Sequence, residues 1–540
     1  MSVQGAANAP PPPSGNTVMP ISGLPLEAPL QVHEILKTGV ETKPDAAALV
    51  SRRQRWTWRK LDDVSSRLAS NYLDLGLQPG DRVASLMPNR TELLVHYLAC
   101  MKGGLVAMPL NYRYMAPEID HALAVGGARI LLAHEERSED LAASKLACKL
   151  PLGRISYDDD GESGSPSFKS LSEGGLGRAF APPKPEDPAI IFFTSGSTGK
   201  PKGVCHSFET LGWVLASAAK SFGMGPDDIM MPGGSASHVG AHHLSMMTFA
   251  AGGTVVMART FDGDEILPLL RKERPTKMWM LPSALYALTR DHDARREDFA
   301  AVKACFSGGD KVSDALEAEF TAVAGITIDE CYGMTEIGIP TVNTPEAPKI
   351  GSVGPLGPGY QASVRDEDGR EVATGAGGRL WIRFPGNMVG YWNNPEASAA
   401  TIVDGWLDTG DVMSADADGF LWFHGRKKQI IVHDGSNICP QEVEGALLEH
   451  EAVASAGVVG VQSAMHGENV RAYVTLAKGM APPRMQDLIH FVRARVGYKA
   501  PEEIIVLDEM PLNATGKVDR VTLKKMAADA AAATGGAARP

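Results

Sequence analysis

Ten residues from Thr194 to Gly203 concentrate groups that hold phosphate: hydroxyls at Thr194, Ser195, Ser197 and Thr198, glycines at Gly196, Gly199 and Gly203, and ammonium groups at Lys200 and Lys202. Glycine lets backbone N–H groups approach an anion, the hydroxyls donate hydrogen bonds, and the lysines neutralise charge. The spacing is not that of a Walker A loop, which needs Ser or Thr after its Gly-Lys pair. Here Pro201 follows Lys200 and removes the helix N–H that such a loop uses. P-loop kinases and ATPases are therefore disfavoured. Further along, Glu336 is a hard oxygen donor of the kind Mg²⁺ accepts, Asp411 is an acceptor-only group, Arg426 offers a planar fork, and Lys517 beside Gly516 is a cation on a loop free to move. His238, His242 and His243 are close enough in sequence to suggest a metal, but no Cys or carboxylate spacing accompanies them, which favours a packed loop histidine.

The elements that must position these groups follow from periodicity. The apolar run Ala189–Phe193 predicts a buried strand leading into the loop at 194 to 203. Leu61, Val64, Leu68, Tyr72 and Leu75 mark one face of a helix that Pro79-Gly80 follows. Arg82–Leu86 then reads as a strand, Thr91–Lys102 as a helix and Leu105–Met108 as a strand, the pattern of a βαβ crossover. A Gly-, Ser-, Pro- and acid-rich connection spans 157 to 188. A second break near Gly425–Gln429 predicts a small C-terminal domain. Residues 1–30, Pro-rich through Pro13, and the Ala/Gly tail 527–540 read as loose ends.

Composition narrows the classes. The chain has 540 residues, 44% of them hydrophobic and 21% charged, which fits a globular protein of several domains and excludes a mostly unfolded scaffold. Its net charge of -12 offers nothing global to nucleic acid or an anionic membrane, so a phosphate ligand must be held locally. The 6 cysteines show no CxxC pair, the N-terminus lacks a signal-peptide core, and no apolar window reaches spanning length. A cytoplasmic protein without a membrane span is expected.

Taken in order, the loop at 194 to 203, Ser307-Gly308-Gly309-Asp310, Tyr332-Gly333-Met334-Thr335-Glu336, Trp406 to Asp411, Gly425 to Lys428, Asn437 to Glu444 and Pro511 to Arg520 resemble the motifs of the adenylate-forming superfamily. That superfamily contains acyl-CoA synthetases, peptide-synthetase adenylation domains and beetle luciferases. The resemblance covers about residues 30 to 526 and implies an α/β fold: a large N-terminal domain of packed α/β subdomains over 31–427 and a smaller, mobile α+β C-terminal domain over 428–526, hinged at Lys428. It also implies roles. Glu336 would hold Mg²⁺, Thr335 would contact the α-phosphate, and Lys517 would reach the transferring phosphoryl group. Gly309 and Asp310 would meet adenine, Tyr332 and Gly333 would bind the nucleotide, Asp411 would take the ribose, and Arg426 would take ribose or phosphate oxygens. His238 would gate an acid pocket drawn from Val239, Ser307, Gly308, Gly333, Met334 and Ile337. His433, Asp434 and Gly435 would line the CoA tunnel, where Asp434 replaces a glycine common in acyl-CoA synthetases.

The expected activity is an ATP-dependent acyl-CoA synthetase that forms an acyl-adenylate, releases pyrophosphate, then transfers the acyl group to CoA and releases AMP. Its partners would be ATP, CoA and a small monocarboxylic acid, medium-chain or aromatic, because the pocket set carries no Arg or Lys for a second carboxylate. A stand-alone enzyme that loads a carrier-protein phosphopantetheine stays open, as do a non-catalytic nucleotide-binding protein and a homodimer. A luciferase-like oxygenase has little support.

Overall fold

The computed structural model describes residues 21–158, 166–175, 179–194, 201–433, 436–463, 466–513 and 516–535. Its first sheet orders seven strands as Gly390–Tyr391, Lys202–Ser207, Pro188–Thr194, Val106–Pro109, Arg82–Leu86, Ile130–His134 and Arg154–Tyr157. The last five are parallel neighbours, as expected of βαβ units, and the crossover helix Thr91–Lys102 is buried from Thr91 to Met101. Helix Trp58–Asp74 starts where the Thr57 hydroxyl caps Lys60 N–H, and it buries Leu61, Leu68 and Tyr72 completely.

The second sheet has eight strands in the order Gly338–Val342, Ile328–Met334, Ala304–Gly308, Lys277–Met280, Ile229–Gly233, Thr254–Val256, Ala47–Val50 and Arg55–Thr57. Only its two end pairings are antiparallel. A third, antiparallel sheet includes Gln361–Arg365, Gly378–Arg383, Trp406–Ala415 and Leu421–Arg426. A fourth, from Ile431 to Val506, carries its own core of Val443, Leu447, Val458, Val470, Leu488 and Val492.

Ligands of open α/β sheets bind beyond the carboxyl ends of parallel strands. Three such ends emerge here in succession: Ile229–Gly233 runs toward His238, Ala304–Gly308 into Gly309, and Ile328–Met334 into Thr335 and Glu336. That common direction explains how segments a hundred residues apart share one region.

The described parts of both expected loose ends, 21–30 and 527–535, are more ordered than composition implied. Residues 21–30 are tied down: Ile21 pairs with Ala362, Gly23 N–H donates to Tyr360 and Leu30 N–H to Gly212. A Pro-rich stretch can still add a short edge strand at its end. At the other terminus a helix runs Arg520–Gly535, burying Leu523 and Ala527, because an alanine run is also the strongest helix former. Among the described residues no helix is long and apolar enough to cross a membrane, and the cysteines are unpaired.

Candidate active site

The strand Ile328–Met334 turns back at Glu336 into Gly338–Val342, a reversal that needs Gly338 at φ 75 because a Cβ there would lie 2.6 Å from Val214. The Glu336 carboxylate is buried, and the Tyr391 hydroxyl donates to its Oε1 at 2.9 Å. Lys202 Nζ sits 4.5 Å from the centre of the Tyr391 ring, so a cation, an aromatic ring and a carboxylate stand in a row. Burial pushes the Glu336 pKa up, opposed by the Tyr391 hydrogen bond and by Arg426 and Lys202. Behind it, His206 Nε2 donates to the Thr335 carbonyl at 2.8 Å, and burial holds that imidazole neutral with its pKa lowered to about 4.

Asp411 and Arg426 face each other across paired strands, with Arg426 Nε 3.2 Å from Asp411 Oδ1. The Tyr332 hydroxyl donates to Oδ2 at 2.6 Å. Asp411 is 1% exposed, and among the described residues its Oδ1 has only the poorly aligned Arg426 as a donor. A buried carboxylate oxygen short of donors suits a ligand carrying hydroxyls.

Lys517 comes from the far end of the chain into the same space. A Cβ on Gly309 would stand 3.4 Å from both its Cε and Nζ, so the absence of a side chain at 309 makes room for it. Burial lowers the Lys517 pKa, Asp310 and Asp411 support its charge, and Arg426 and Arg520 oppose it. Arg520, three residues on, pairs with the buried Glu444 and accounts for the position of this segment. His238 lies within electrostatic reach of Lys517: burial first, then Lys517 and Arg113, lower its pKa to about 4. Asn111 Nδ2 donates to His238 Nε2 at 2.9 Å while its Oδ1 accepts from Arg113 N–H, which leaves the His238 proton on Nδ1.

The expected acid pocket is only partly assembled as read from sequence. Val239 opens the helix after His238, Ser307 Oγ donates to Met280 O, and Gly308 leaves room for Cys331. Met334 is half-buried and Gly333 exposed. Ile337 is fully buried with Val204, Val214 and Tyr360, inside the core that supports the third sheet rather than beside His238. Trp279, absent from that set, lies beside the His238 loop. Its ring lies 3.0 Å from a Cβ built on Gly234 and 3.8 Å from one on Gly240, and its indole N–H points at Cys331 Sγ at 3.4 Å. Trp279 thus spans from the His238 loop to the end of the strand carrying Tyr332.

Several expected residues fall elsewhere. Ser195, Gly196, Ser197, Thr198, Gly199 and Lys200 lie outside the described residues, although Thr194 and Lys202 pair across the base of that loop. Asp434 and Gly435 are outside as well. His433 is held within the C-terminal sheet region by Glu468 and Glu502 and stacks on His466. Lys428 is exposed in the turn after Leu421–Arg426.

No group of three or more His, Cys, Asp or Glu among the described residues could hold a metal. His242 and His243 are instead core rings, with all four nitrogens buried and unpartnered and with Tyr97 and Phe192 against them. Glu336 alone fits Mg²⁺, which commonly takes one or two carboxylates plus substrate phosphates. Among the described residues its buried charge has the Tyr391 hydroxyl in contact, with Arg426 and Lys202 acting at a distance.

Comparison with known proteins agrees with this geometry. The family model for AMP-binding enzymes matches residues 36–392, and that for the AMP-binding enzyme C-terminal domain matches 442–517. The chain belongs to the AMP-binding enzyme family. It is 32% identical over 515 residues to the fatty acid–[acyl-carrier-protein] ligase ScoC of Streptomyces coeruleorubidus, covering 91% of this chain and 97% of that one. It is also 32% identical to a feruloyl-CoA synthase of an Amycolatopsis species, covering 88% and 94%. The ATP-bound structure of MatB from Rhodopseudomonas palustris superposes with a TM-score of 0.83 at 28% identity, covering 92% of this chain and 98% of MatB. The first two relatives are an acyl-carrier-protein ligase and an acyl-CoA synthase, and this AMP-binding enzyme is an AMP-forming ligase of the adenylate-forming superfamily with a large and a smaller α/β part.

Tyr391, Asn111, His206 and Trp279 escaped the sequence reading. Tyr391 is 55 positions from Glu336 and Asn111 is 127 from His238, so no local spacing marks either pair. Only Gly390-Tyr391, an aromatic after a glycine in a short edge strand, offered a signal.

Proposed function

We propose that this AMP-binding enzyme is an ATP-dependent acyl-CoA synthetase working in two half-reactions. The observation that carries the reading is the seat of Lys517: a lysine from the C-terminal region packs against Gly309 within reach of Asp310, Asp411 and His238. A domain arranged this way delivers a cation to the phosphates of a nucleotide whose ribose is taken by Asp411.

In the first half-reaction a carboxylate oxygen of the acid attacks the α-phosphorus of ATP, the bond to the bridging oxygen breaks, and pyrophosphate leaves with its electron pair. Lys517 and Lys202 offset the charge that develops. Thr335, its carbonyl fixed by His206, is placed to offer its hydroxyl or N–H to the α-phosphate. Mg²⁺ held by Glu336 would supply Lewis-acid stabilisation of the phosphates. His238 is neutral with Nε2 occupied by Asn111, so it shapes the acid site without bringing a charge that would trap the carboxylate. In the second half-reaction the C-terminal region swings away about Lys428, the CoA thiol adds to the acyl carbonyl, and AMP leaves. Asp434 would lie on the CoA path. Six unpaired cysteines suit a reducing, cytoplasmic setting.

Trp279 sets the acid class. An indole wedged between Gly234, Gly240 and Cys331 shortens the space beside His238, which favours a short-chain or single-ring monocarboxylic acid over a long chain. A second reading, transfer to a carrier-protein phosphopantetheine, has specific support in the 32% identity to the ScoC ligase. Pyrophosphate release across a panel of acids, followed by product analysis with CoA or a holo carrier protein, tests both. Trp279→Ala should extend activity toward longer chains. Wild-type preference for long chains would overturn the assignment of Trp279, and absence of acid-dependent pyrophosphate release would overturn the reading itself.

A further inference from the structure

A cavity of about 380 Å³ lies at the seam of the first two sheets, on the far side of the segment that leads to His238. None of Glu336, Asp411, Lys517, His238 or Trp279 lines it. Its walls carry four guanidinium groups, Arg52, Arg53, Arg90 and Arg259, against two carboxylates, Glu92 and Glu265. Both carboxylates are already engaged. Glu92 accepts from Gln54 at 2.6 Å and from Thr91 at 2.9 Å; Glu265 accepts from Arg52 at 3.1 Å and from the Arg259 N–H at 3.2 Å. Arg259 in turn pairs with Glu136.

Arg90 is left over. It is 7% exposed, its Nε is buried with no hydrogen-bond partner, and no carboxylate forms an ion pair with it among the described residues. Arginine keeps its proton, and this guanidinium has the charges of Glu92 and Asp158 around the same Tyr157, with neither in an ion pair with it among the described residues. Arg90 is also the N-cap of Thr91–Lys102, so the positive end of a twelve-residue helix faces the same space. Arg53, at the rim, is exposed and likewise has no carboxylate partner there. Two unpaired forked cations and a helix N-terminus match a dianionic phosphoryl group, whose oxygens accept several N–H donors at once.

We propose that this cavity binds a phosphate dianion, carried by a small phosphomonoester whose organic part fills the volume that a bare phosphate would leave. Its effect would reach the acid site through Asn89, the residue before Arg90. The Asn89 amide donates to Gly234 O at 2.9 Å and Ala258 O at 3.1 Å, and its Oδ1 accepts from Ala236 N–H at 2.8 Å, pinning the loop that leads to His238.

The test is calorimetric titration of the full chain with inorganic phosphate and, separately, glycerol 3-phosphate. Saturating ATP without acid keeps phosphate out of the nucleotide site. One saturable site is expected. Affinity should fall about tenfold or more in Arg90→Leu and severalfold in Arg53→Ala, with ATP affinity unchanged in both. Binding of glycerol 3-phosphate alone would identify the monoester as the ligand; equal binding of both would make free phosphate sufficient. If Arg90→Leu does not fold, the exposed Arg53 decides. No saturable binding of either probe up to about 10 mM, or equal affinities in wild type and variants, overturns the proposal. The readout is binding, so it stands or falls separately from the synthetase reading.

Discussion

Tyr391→Phe removes one hydroxyl and keeps the ring 4.5 Å from Lys202, so it isolates the hydrogen bond to Glu336. That bond is 2.9 Å long and ends on a carboxylate that is 7% exposed. A hydrogen bond to a charged group contributes about 1.5–3 kcal/mol, so its loss should raise the Glu336 pKa further. The direction is fixed by the donor: a hydroxyl stabilises the ionised carboxylate, and burial, which already holds this pKa above the ordinary value, is opposed by it. Burial also keeps the Tyr391 phenol protonated, hence a donor, across the working range. Adenylation that needs Glu336 ionised loses rate as pH falls through its pKa, so the variant should fail at higher pH than wild type. Pyrophosphate release measured from about pH 5 to 8.5 at fixed, subsaturating Mg²⁺ should show its acid limb displaced upward. A limb in the same place with a uniformly lower plateau would show that the hydroxyl does not act through the charge on Glu336.

Lys517→Ala should lower pyrophosphate release on the order of 10²- to 10³-fold while leaving CoA thioester formation from supplied acyl-adenylate within about tenfold; parallel losses would refute a cation used in one half-reaction. Lys428→Pro fixes φ in the turn after Arg426 and should slow thioester formation more than adenylation, checked by assaying the halves separately. Asp329, 1% exposed with both carboxylate oxygens unpartnered, has its pKa raised by burial and by Glu317 and Glu346 to about 7. The native state therefore keeps a proton that the unfolded chain has released. This contribution is complete below the unfolded pKa and is lost as pH rises through about 7. Asp329→Asn should lose less stability than wild type between pH 5 and 8, by at most ~3 kcal/mol in urea unfolding.

What the sequence made legible was chemistry carried by short segments. The strand, helix and strand between Arg82 and Pro109 follow from periodicity, and the strand ahead of the 194 loop from a run of apolar residues. Asp411 and Arg426 were read as separate groups, and only strand pairing makes them neighbours. The partners that tune these groups were hidden because they come from distant segments: Asn111 reaches His238 and Tyr391 reaches Glu336 across the fold. Ile337 misled for a related reason. A side chain next to a motif can point into the core, and at a strand reversal the neighbour in sequence need not be the neighbour in the pocket. Trp279 shows the converse, a residue outside every motif that lies between the His238 loop and the strand carrying Tyr332.

The seat of Lys517 also bears on timing. Its ammonium lies near Arg426 and Arg520, and burial and both cations disfavour its charge. Phosphates would add to the counter-charge of Asp310 and Asp411, so under the proposed reaction docking of the C-terminal region and occupancy by ATP strengthen each other by the same factor. The triphosphate offers that ammonium far more negative charge than an acyl-adenylate does. Under the proposed reaction, departure of pyrophosphate therefore withdraws the attraction that holds the region down. Chemistry at the α-phosphorus becomes its own clock: the step that completes activation also loosens the latch, and the second half-reaction begins without a separate signal.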